Sequence, residues 1–320
     1  MTRSAAVLVR CCLLATLVVL GVPFGIGHAD PPVEAVYAQP GPWAVTEQRA
    51  FTCCDSTGAA YDIWYPTELG ANGFRHPIIT WGDGTNAHPD QYSYLLRHFA
   101  SWGFVVIATE NSATGSGIDI AGAIDRLLSL AADPGSVFHD RLDPDAIGAV
   151  GHSQGATGAL NAMMHSGGRI RTAVPIELPI QLSCLLGWCP DTHGLAGGSV
   201  FFVNGSADTV ISPSEQTLPP TAVGLQSLRA FYDAVPAGVQ KAWGTLVGPN
   251  HNDVQGQPDC AGASWPCTSG VSGYLGYPTA WLAARLLGRA DAQQAFAAGS
   301  GEFLAPNPLW TNQISDITTP

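Results

Sequence analysis

Short apolar runs alternate with helical patterns along most of this chain. Residues 104–108 and 146–150 carry no charge, which is typical of strands buried on both faces of a sheet. Further strands are predicted at residues 59–65, 77–81, 172–176, 199–203 and 240–247. Helices are predicted at residues 90–101, 118–132, 154–165 and 274–287. This alternation predicts an α/β fold in which helices flank a mostly parallel, twisted sheet.

The first 29 residues have a different character. Arg3 and Arg10 make the beginning of the chain positively charged, and residues 11–22 are continuously apolar. Gly27-His28-Ala29 then offers small residues for cleavage. This layout is typical of a secretory signal peptide, and the apolar run is too short to span a bilayer. We therefore expect cleavage near Ala29 and secretion of the mature protein, with a retained membrane anchor as the alternative. No other apolar stretch is long enough to cross a membrane, so we expect no membrane association after processing.

Residues 30–320 are expected to form a single domain, because no linker-like tract or internal repeat divides them. The segment near residues 178–198 is rich in Leu and Cys, and we interpret it as a small insertion, too short for a full lid domain. Residues 143–145 (Asp-Pro-Asp) are predicted to turn the chain into the strand at 146–150. The tail from about residue 301 lacks periodicity and is predicted to be an extended wrap.

The charge of the mature chain limits its partners. Without the two arginines before residue 30, 11 basic residues face 25 acidic ones, a net charge of −14 with neutral histidines. Lys241 is the single lysine, and no basic cluster occurs. Nucleic acids and anionic membranes are therefore not expected as partners, and neutral substrates are favoured. We expect a monomer.

Six cysteines follow the predicted signal peptide. An even number in an exported chain suggests disulfides, although six cysteines permit 15 connectivities. Cys184 with Cys189, and Cys260 with Cys267, would close short loops and are the preferred pairs. By elimination Cys53 would pair with its neighbour Cys54, an uncommon arrangement. No C-x-x-C pair or paired-histidine spacing supports a metal site, so we expect no metal.

Gly151-His152-Ser153-Gln154-Gly155 matches the G-x-S-x-G pattern of a nucleophile elbow. A serine on a sharp turn between a strand and a helix stands above the sheet, and glycines two positions away avoid steric collisions. The pattern arises often by chance, but here a buried strand precedes it and a helical pattern follows. Ser153 is therefore the predicted nucleophile, and the alternative is a glycine-rich turn without a catalytic role.

A serine nucleophile needs a general base and a carboxylate that orients it. Three histidines follow Ser153, and His251 is the predicted base because it lies just after the last predicted strand. His165 is placed along the helix after the elbow, and His193 within the cysteine insertion. The predicted carboxylate is Asp208, which follows the strand at 199–203. Two competitors remain: Glu177, after the preceding strand, and Asp253, interpreted as a solvated loop residue.

The tetrahedral oxyanion of such a reaction needs two backbone N–H donors. One belongs to the residue after the nucleophile, Gln154. The other is expected from the turn after an early strand, Trp81-Gly82-Asp83-Gly84-Thr85. Asp83 is the predicted donor there and Gly84 the next candidate, with the Asp83 side chain pointing away from the oxyanion.

At these residues the chain resembles the bacterial polyester hydrolases, the cutinase-like and PET-hydrolase-like branch of the α/β hydrolases. The resemblance runs from about Phe51 to Arg289. Its motifs are Tyr61-Asp62-Ile63-Trp64-Tyr65-Pro66-Thr67, the run from His98 to Val106, and the elbow itself. It implies an α/β-hydrolase fold without a large lid, and hydrolysis of neutral carboxylic esters or polyesters through an acyl-enzyme, without a cofactor.

Several positions depart from the family pattern. Ala156 replaces a glycine that often follows the elbow, and Asp83 replaces an aromatic residue of the oxyanion turn. Ile180 stands where a substrate-flanking Trp is usual. We predict that Gly84, Ile180 and Trp188 contact substrate; for Trp188, packing over the disulfide is the alternative.

Four other functions remain open from the sequence. An amidase or a lipase of the same fold would use the same three residues, although a capped lipase needs a larger cap. A haloperoxidase-like side activity shares them too. A non-catalytic binding protein on a hydrolase scaffold is the alternative from a different class, but such proteins usually lack one of the three residues.

Overall fold

One sheet organises the chain. The computed structural model describes residues 32–216 and 224–318, so the predicted signal peptide and its cleavage site near Ala29 lie outside the described residues. Within these ranges nine strands form a single sheet in the order β1-β2-β4-β3-β5-β6-β7-β8-β9. The strands are β1 (Val45–Cys53), β2 (Ala60–Pro66), β3 (His76–Gly82), β4 (Val105–Thr109), β5 (Leu142–His152), β6 (Ile170–Ile176), β7 (Ser199–Gly205), β8 (Gln240–Leu246) and β9 (Trp310–Ser315).

The centre of the sheet is parallel and its edges are antiparallel. Strands β4, β3, β5, β6, β7 and β8 pair in parallel, whereas β1, β2 and β9 pair antiparallel with their neighbours. The carboxyl ends of parallel strands meet at the same edge of a sheet. The loops after β3, β5, β6, β7 and β8 therefore converge, and these loops carry the predicted site residues.

Helices cover both faces of the sheet. They are α1 (Val33–Tyr37), α2 (Ser93–Ser101), α3 (Ile118–Ala132), α4 (Gln154–His165), α5 (Leu228–Ala234), α6 (Gly276–Leu286) and α7 (Ala290–Ala295). Buried side chains of α1, α2, α6 and α7 form one core layer, and those of α3, α4 and α5 form the other. No helix in the described part of the chain has both the length and the apolar character that crossing a bilayer requires.

The predicted α/β-hydrolase architecture is confirmed, with local differences. Helices α3 and α4 have the predicted bounds. The helix predicted from residue 90 instead begins as a 3-10 turn, Pro89–Tyr92, and becomes α-helical at Ser93. The turn predicted at residues 143–145 was wrong, because these residues lie inside β5. There the register shifts between Pro77 and Ile78 of β3, so a bulge absorbs the extra residues.

The outer strands β1 and β9 were not predicted from the sequence. In the tail, where we predicted an extended wrap, residues 310–315 pair with β8 as an edge strand. Two aromatic side chains of this tail, Phe303 and Trp310, are buried. Their rings lie 5.4 and 6.4 Å from that of Phe201 in β7. The tail therefore contributes to the core of the domain.

Within the described ranges the cysteines join in the two preferred pairs and in the pair expected by elimination. The Cys184–Cys189 bond closes the loop between β6 and β7, which also contains a 3-10 turn, Gln181–Leu186. Cys260 pairs with Cys267 in the loop after β8, and Cys53 pairs with its neighbour Cys54 at the end of β1. Two of the three bonds thus constrain loops at the edge where the predicted site residues meet.

We expect Phe303→Ala to lower the free energy of unfolding by about 3–5 kcal/mol, because it leaves a cavity where an aromatic ring packs in the core. Chemical denaturation followed by intrinsic fluorescence measures this loss. The control is Leu309→Ala in the same tail, whose side chain is 57% exposed. Its effect should stay within about 0.5 kcal/mol. Equal effects of the two substitutions would contradict a core role for the tail.

Candidate active site

Ser153 stands on a strained turn between β5 and α4. Its backbone has φ 55° and ψ −122°, a conformation that L-residues rarely adopt. A Cβ atom at Gly151 would collide with the carbonyl of Gly155, and one at Gly155 would collide with the carbonyl of Gly82. Only glycine permits this close approach of turn, helix and β3. The sequence pattern and the geometry of the elbow therefore agree.

The structure brings Ser153, His251 and Asp208 together at the carboxyl edge of the sheet. His251 Nε2 lies 2.9 Å from Ser153 Oγ, and His251 Nδ1 lies 2.6 Å from Asp208 Oδ2. The carboxylate only accepts, so Nδ1 carries the proton and Nε2 is free to accept one from the serine. Ser153 follows β5, Asp208 follows β7 and His251 follows β8. All three side chains are largely shielded from solvent. This arrangement has the geometry of a catalytic triad.

The environment of Asp208 favours its charged form. Burial alone would raise the pKa of Asp208, but the hydrogen bond and charge of His251 outweigh it and hold the pKa below its usual value. The Ile211 N–H also donates to Asp208 Oδ1 at 2.9 Å. Asp208 is therefore an ionised partner for the imidazole at neutral pH.

The two alternative histidines lie away from the serine. His165 is exposed at the end of α4. His193 is also exposed and pairs with Asp191 at 2.9 Å in the insertion. Glu177, the alternative acid, is fully buried beside Asp208, and it is Asp208 that contacts the imidazole.

The prediction that Asp253 is a solvated loop residue was wrong. Its side chain is fully buried and organises the loop that carries His251. Oδ2 accepts the Asn250 N–H at 2.9 Å, while Oδ1 accepts the N–H groups of Thr268, Ser269 and Gly270. Backbone N–H groups of this loop that would otherwise lack an acceptor are thereby hydrogen-bonded. Hydropathy could not reveal this, because a buried carboxylate that caps a loop looks like any surface acid in sequence.

A buried network behind the elbow fixes the position of the His251 backbone. Tyr92 Oη accepts hydrogen bonds from the Gly84 N–H and from Gln255 Nε2, both at 3.1 Å. Its single proton is then donated to His152 Nδ1 at 2.9 Å. His152 Nε2 consequently carries a proton, which it donates to the carbonyl of His251 at 2.7 Å. The network links the oxyanion turn, the elbow and the loop of His251.

His152 fits this network as a neutral ring. Burial, followed by the neighbouring His251, lowers the pKa of His152 well below its ordinary value. A neutral imidazole is the form with one donor and one acceptor nitrogen, as Tyr92 and the His251 carbonyl require. This role of His152 was not predicted from the sequence, since the position inside the elbow motif accepts any residue.

The turn after β3 turns the Asp83 side chain away from the site and presents Gly84 and Thr85 to it. Asp83 is fully buried, and its Oδ1 accepts the Trp81 indole N–H at 2.8 Å, so its side chain points away as expected. Burial raises the pKa of Asp83 well above its usual value. The wall beside Ser153 includes Gly84, a predicted contact, and Thr85. Gln154 Nε2 lies 3.3 Å from the Thr85 hydroxyl, which ties this turn to the start of α4.

A pocket of about 670 Å³ opens beside Ser153 and His251. All three predicted substrate contacts, Gly84, Ile180 and Trp188, line it. Most of the accessible surface of the wall is apolar, and several of its aliphatic side chains are exposed. The aliphatic side chains are those of Pro179, Ile180, Leu182, Leu185, Leu186, Val210 and Ile211. The site can therefore hold an apolar group next to the serine hydroxyl.

Among the described residues, two clusters have side chains close enough to share a metal ion. In the first, Asp253 accompanies Cys260 and Cys267, but these cysteines form a disulfide and the carboxylate already accepts several N–H groups. The second consists of Glu177, Asp208 and His251. There the imidazole and Asp208 bond to each other. Neither cluster offers a free set of ligands.

Comparison with known proteins gives a consistent family assignment. A family model described as PETase, PET hydrolase-like, matches residues 22–219. A cutinase of Thermobifida alba is 25% identical over 227 residues, covering 69% of this chain and 67% of that protein. A cutinase of Thermobifida fusca is 24% identical over 251 residues, covering 74% and 69%. A bis(hydroxyethyl) terephthalate hydrolase of Streptomyces coelicolor is 24% identical over 253 residues, covering 74% and 73%.

We expect Tyr92→Phe to lower the free energy of unfolding by about 1–3 kcal/mol, although it removes a single oxygen. The loss follows because the Gly84 N–H, the Gln255 amide and His152 Nδ1 would all lose a buried partner. Urea denaturation measures it. Tyr94→Phe, on the half-buried tyrosine two residues along, is the matched control and should be nearly neutral. A neutral Tyr92→Phe would contradict the network.

Proposed function

Since the chain belongs to the PET hydrolase-like family of α/β hydrolases, we propose that Ser153, His251 and Asp208 are its catalytic triad. Family membership makes the chain an ester-hydrolysing serine hydrolase. The observation that carries the residue assignment is the unbroken pair of contacts from Asp208 to His251 and from His251 to Ser153, 2.6 and 2.9 Å long. The order nucleophile, acid, base along the chain is that of this fold.

The reaction proceeds in two steps through an acyl-enzyme. His251 Nε2 takes the proton of Ser153 as Oγ attacks the ester carbonyl, and returns that proton to the leaving alcohol. Water then attacks the acyl-enzyme, again losing a proton to His251, and the acid is released as Ser153 regains its proton. Asp208 holds the imidazole in the required tautomer and stabilises its cation throughout. This chemistry uses no cofactor.

The oxyanion is held by the backbone N–H groups of Gln154 and Thr85. The Gln154 N–H is a free donor at the first turn of α4, where the helix dipole also favours negative charge. We assign the second oxyanion donor to the Thr85 N–H, in place of the Asp83 N–H predicted from the sequence. Thr85 lines the pocket, and no acceptor in the described ranges takes its N–H. The other candidate, Gly84, already donates its N–H to Tyr92.

The substrate is a neutral ester with an apolar, aliphatic portion. The surface of the pocket wall is mostly apolar and includes Ile180, where the resemblance to the family places a Trp. A net charge of −12 for the chain disfavours anionic esters. Relatives named as cutinases and as a terephthalate ester hydrolase support esters of hydrophobic polymers as the natural substrate. Secretion, suggested by the leader and by three disulfides, would bring the enzyme to such a polymer.

The triad assignment predicts that a fluorophosphonate probe labels the mature protein on Ser153, because only an activated serine reacts with it. Ser153→Ala and His251→Ala should each abolish labelling, while Ser206→Ala, on an exposed serine, should leave it unchanged. Peptide mass spectrometry locates the adduct. No labelling of folded wild type would support a binding protein on this scaffold instead.

The pocket assignment predicts that Leu185 and Leu186 contribute to binding of the apolar part of the ester. Their side chains are 73% and 72% exposed, so replacing both with Ser should leave the fold intact. We expect kcat/KM for p-nitrophenyl octanoate to fall about 10-fold, with a smaller effect on the acetate, because fewer CH₂ groups are buried with the shorter chain. Ile118→Ser, 62% exposed and outside the pocket, is the control. Equal losses for both esters would contradict the assignment.

A further inference from the structure

Glu177 is a buried acid that the proposed reaction does not use. It follows β6 directly, and its side chain has no exposure to solvent. Its backbone φ is 50°, in the left-handed region that glutamate seldom occupies, and its N–H donates to the Val203 carbonyl at 2.8 Å. The surrounding sheet therefore holds Glu177 in a strained conformation, a feature that is concentrated at functional sites.

One oxygen of Glu177 is fully satisfied and the other is not. Oε1 accepts the Gly205 N–H and the Tyr274 hydroxyl, both at 2.6 Å. Oε2 is equally buried, but no N–H or O–H group of the described residues reaches it. An ionised carboxylate with an unpaired buried oxygen is costly, so this oxygen must either meet a donor or carry a proton itself.

The neighbour of this carboxyl group is Asp208. Oxygens of Glu177 and Asp208 and a ring nitrogen of His251 all lie within 4.8 Å of one another. Two buried carboxyl groups this close repel each other when both are ionised, whereas one proton between them allows a hydrogen bond.

The surroundings decide which acid carries that proton. Asp208 accepts hydrogen bonds from His251 and from the Ile211 N–H, which favour its ionised form. Among the described residues, the titratable groups placed next to Glu177 are Asp208, His251 and Tyr274, and none of these is a lysine or an arginine. Burial, then the charge of Asp208, raise the pKa of Glu177 well above its ordinary value. The proton therefore belongs to Glu177.

We propose that Glu177 is a positioning residue: it holds a proton and donates it in a hydrogen bond to Asp208, fixing that carboxylate beneath His251. The inference rests on the proposed function of Asp208. Because Glu177 is neutral, it orients Asp208 without adding a second negative charge. Asp208 then stays ionised, held on several sides, while the imidazole gains and loses its proton.

Infrared difference spectroscopy tests the protonation directly. At neutral pH the wild type should show the carbonyl stretch of a protonated carboxylic acid that E177Q lacks. The exposed Glu215→Gln is the matched control and should retain the band. Buried Asp83 contributes its own signal equally to all three proteins, so it cancels in the difference. Identical spectra of wild type and E177Q would overturn the proposal.

Stability against pH gives an independent test. The pKa of Glu177 is higher in the folded protein than its ordinary value of 4.5, so folding binds a proton at this residue. The wild type should therefore lose stability relative to E177Q as the pH rises from about 5 towards 8. A difference between the two proteins that stays constant over this range would show an ionised Glu177 and refute the proposal.

Activity measurements separate positioning from general packing. E177L removes the hydrogen bonds, and we expect kcat to fall about 10- to 100-fold with little change in KM. E177Q should restore most of that rate, because its amide N–H donates to Asp208 while its oxygen still accepts from Gly205 and Tyr274. Equal losses in E177L and E177Q would contradict positioning. Should fluorophosphonate fail to label wild type, the proposed function fails, whereas the infrared and stability experiments still decide the state of Glu177.

Discussion

The rest of the site depends on one interaction, the hydrogen bond between His251 Nε2 and Ser153 Oγ. These residues are 98 positions apart in the chain and 2.9 Å apart in space. Only the parallel order β5-β6-β7-β8 brings the ends of β5 and β8 to the same edge, with Asp208 arriving after β7 between them. The strand order therefore determines the distance between the His251 imidazole and the Ser153 hydroxyl.

Three buried polar side chains hold this contact in place. Asp253 gathers the N–H groups of the loop after β8, and His152 donates to the carbonyl of His251 itself. Glu177, in our proposal, supports Asp208 from below. Each of these groups would be unfavourable to bury alone, and their mutual hydrogen bonds offset that cost. The same arrangement favours a single position of the imidazole, as preorganised catalysis requires.

The sequence was sufficient for the parts of the structure that follow local patterns. Periodicity located α3 and α4 to the residue, and the glycines at 151 and 155 predicted the elbow because no other residue fits there. It was insufficient where a role depends on distant neighbours. The edge strand β9 is recognisable only through its pairing with β8. In the sequence Asp253 resembles a surface acid, and its burial becomes evident only once the loop folds around it.

The central claim is tested most directly by proton NMR of His251 in the mature protein. A short hydrogen bond from Nδ1 to Asp208 predicts a far-downfield ring proton at neutral pH that is lost in Asp208→Asn and retained in Asp191→Asn, the partner of exposed His193. Absence of that resonance from the folded wild type, or its persistence in Asp208→Asn, would contradict the account.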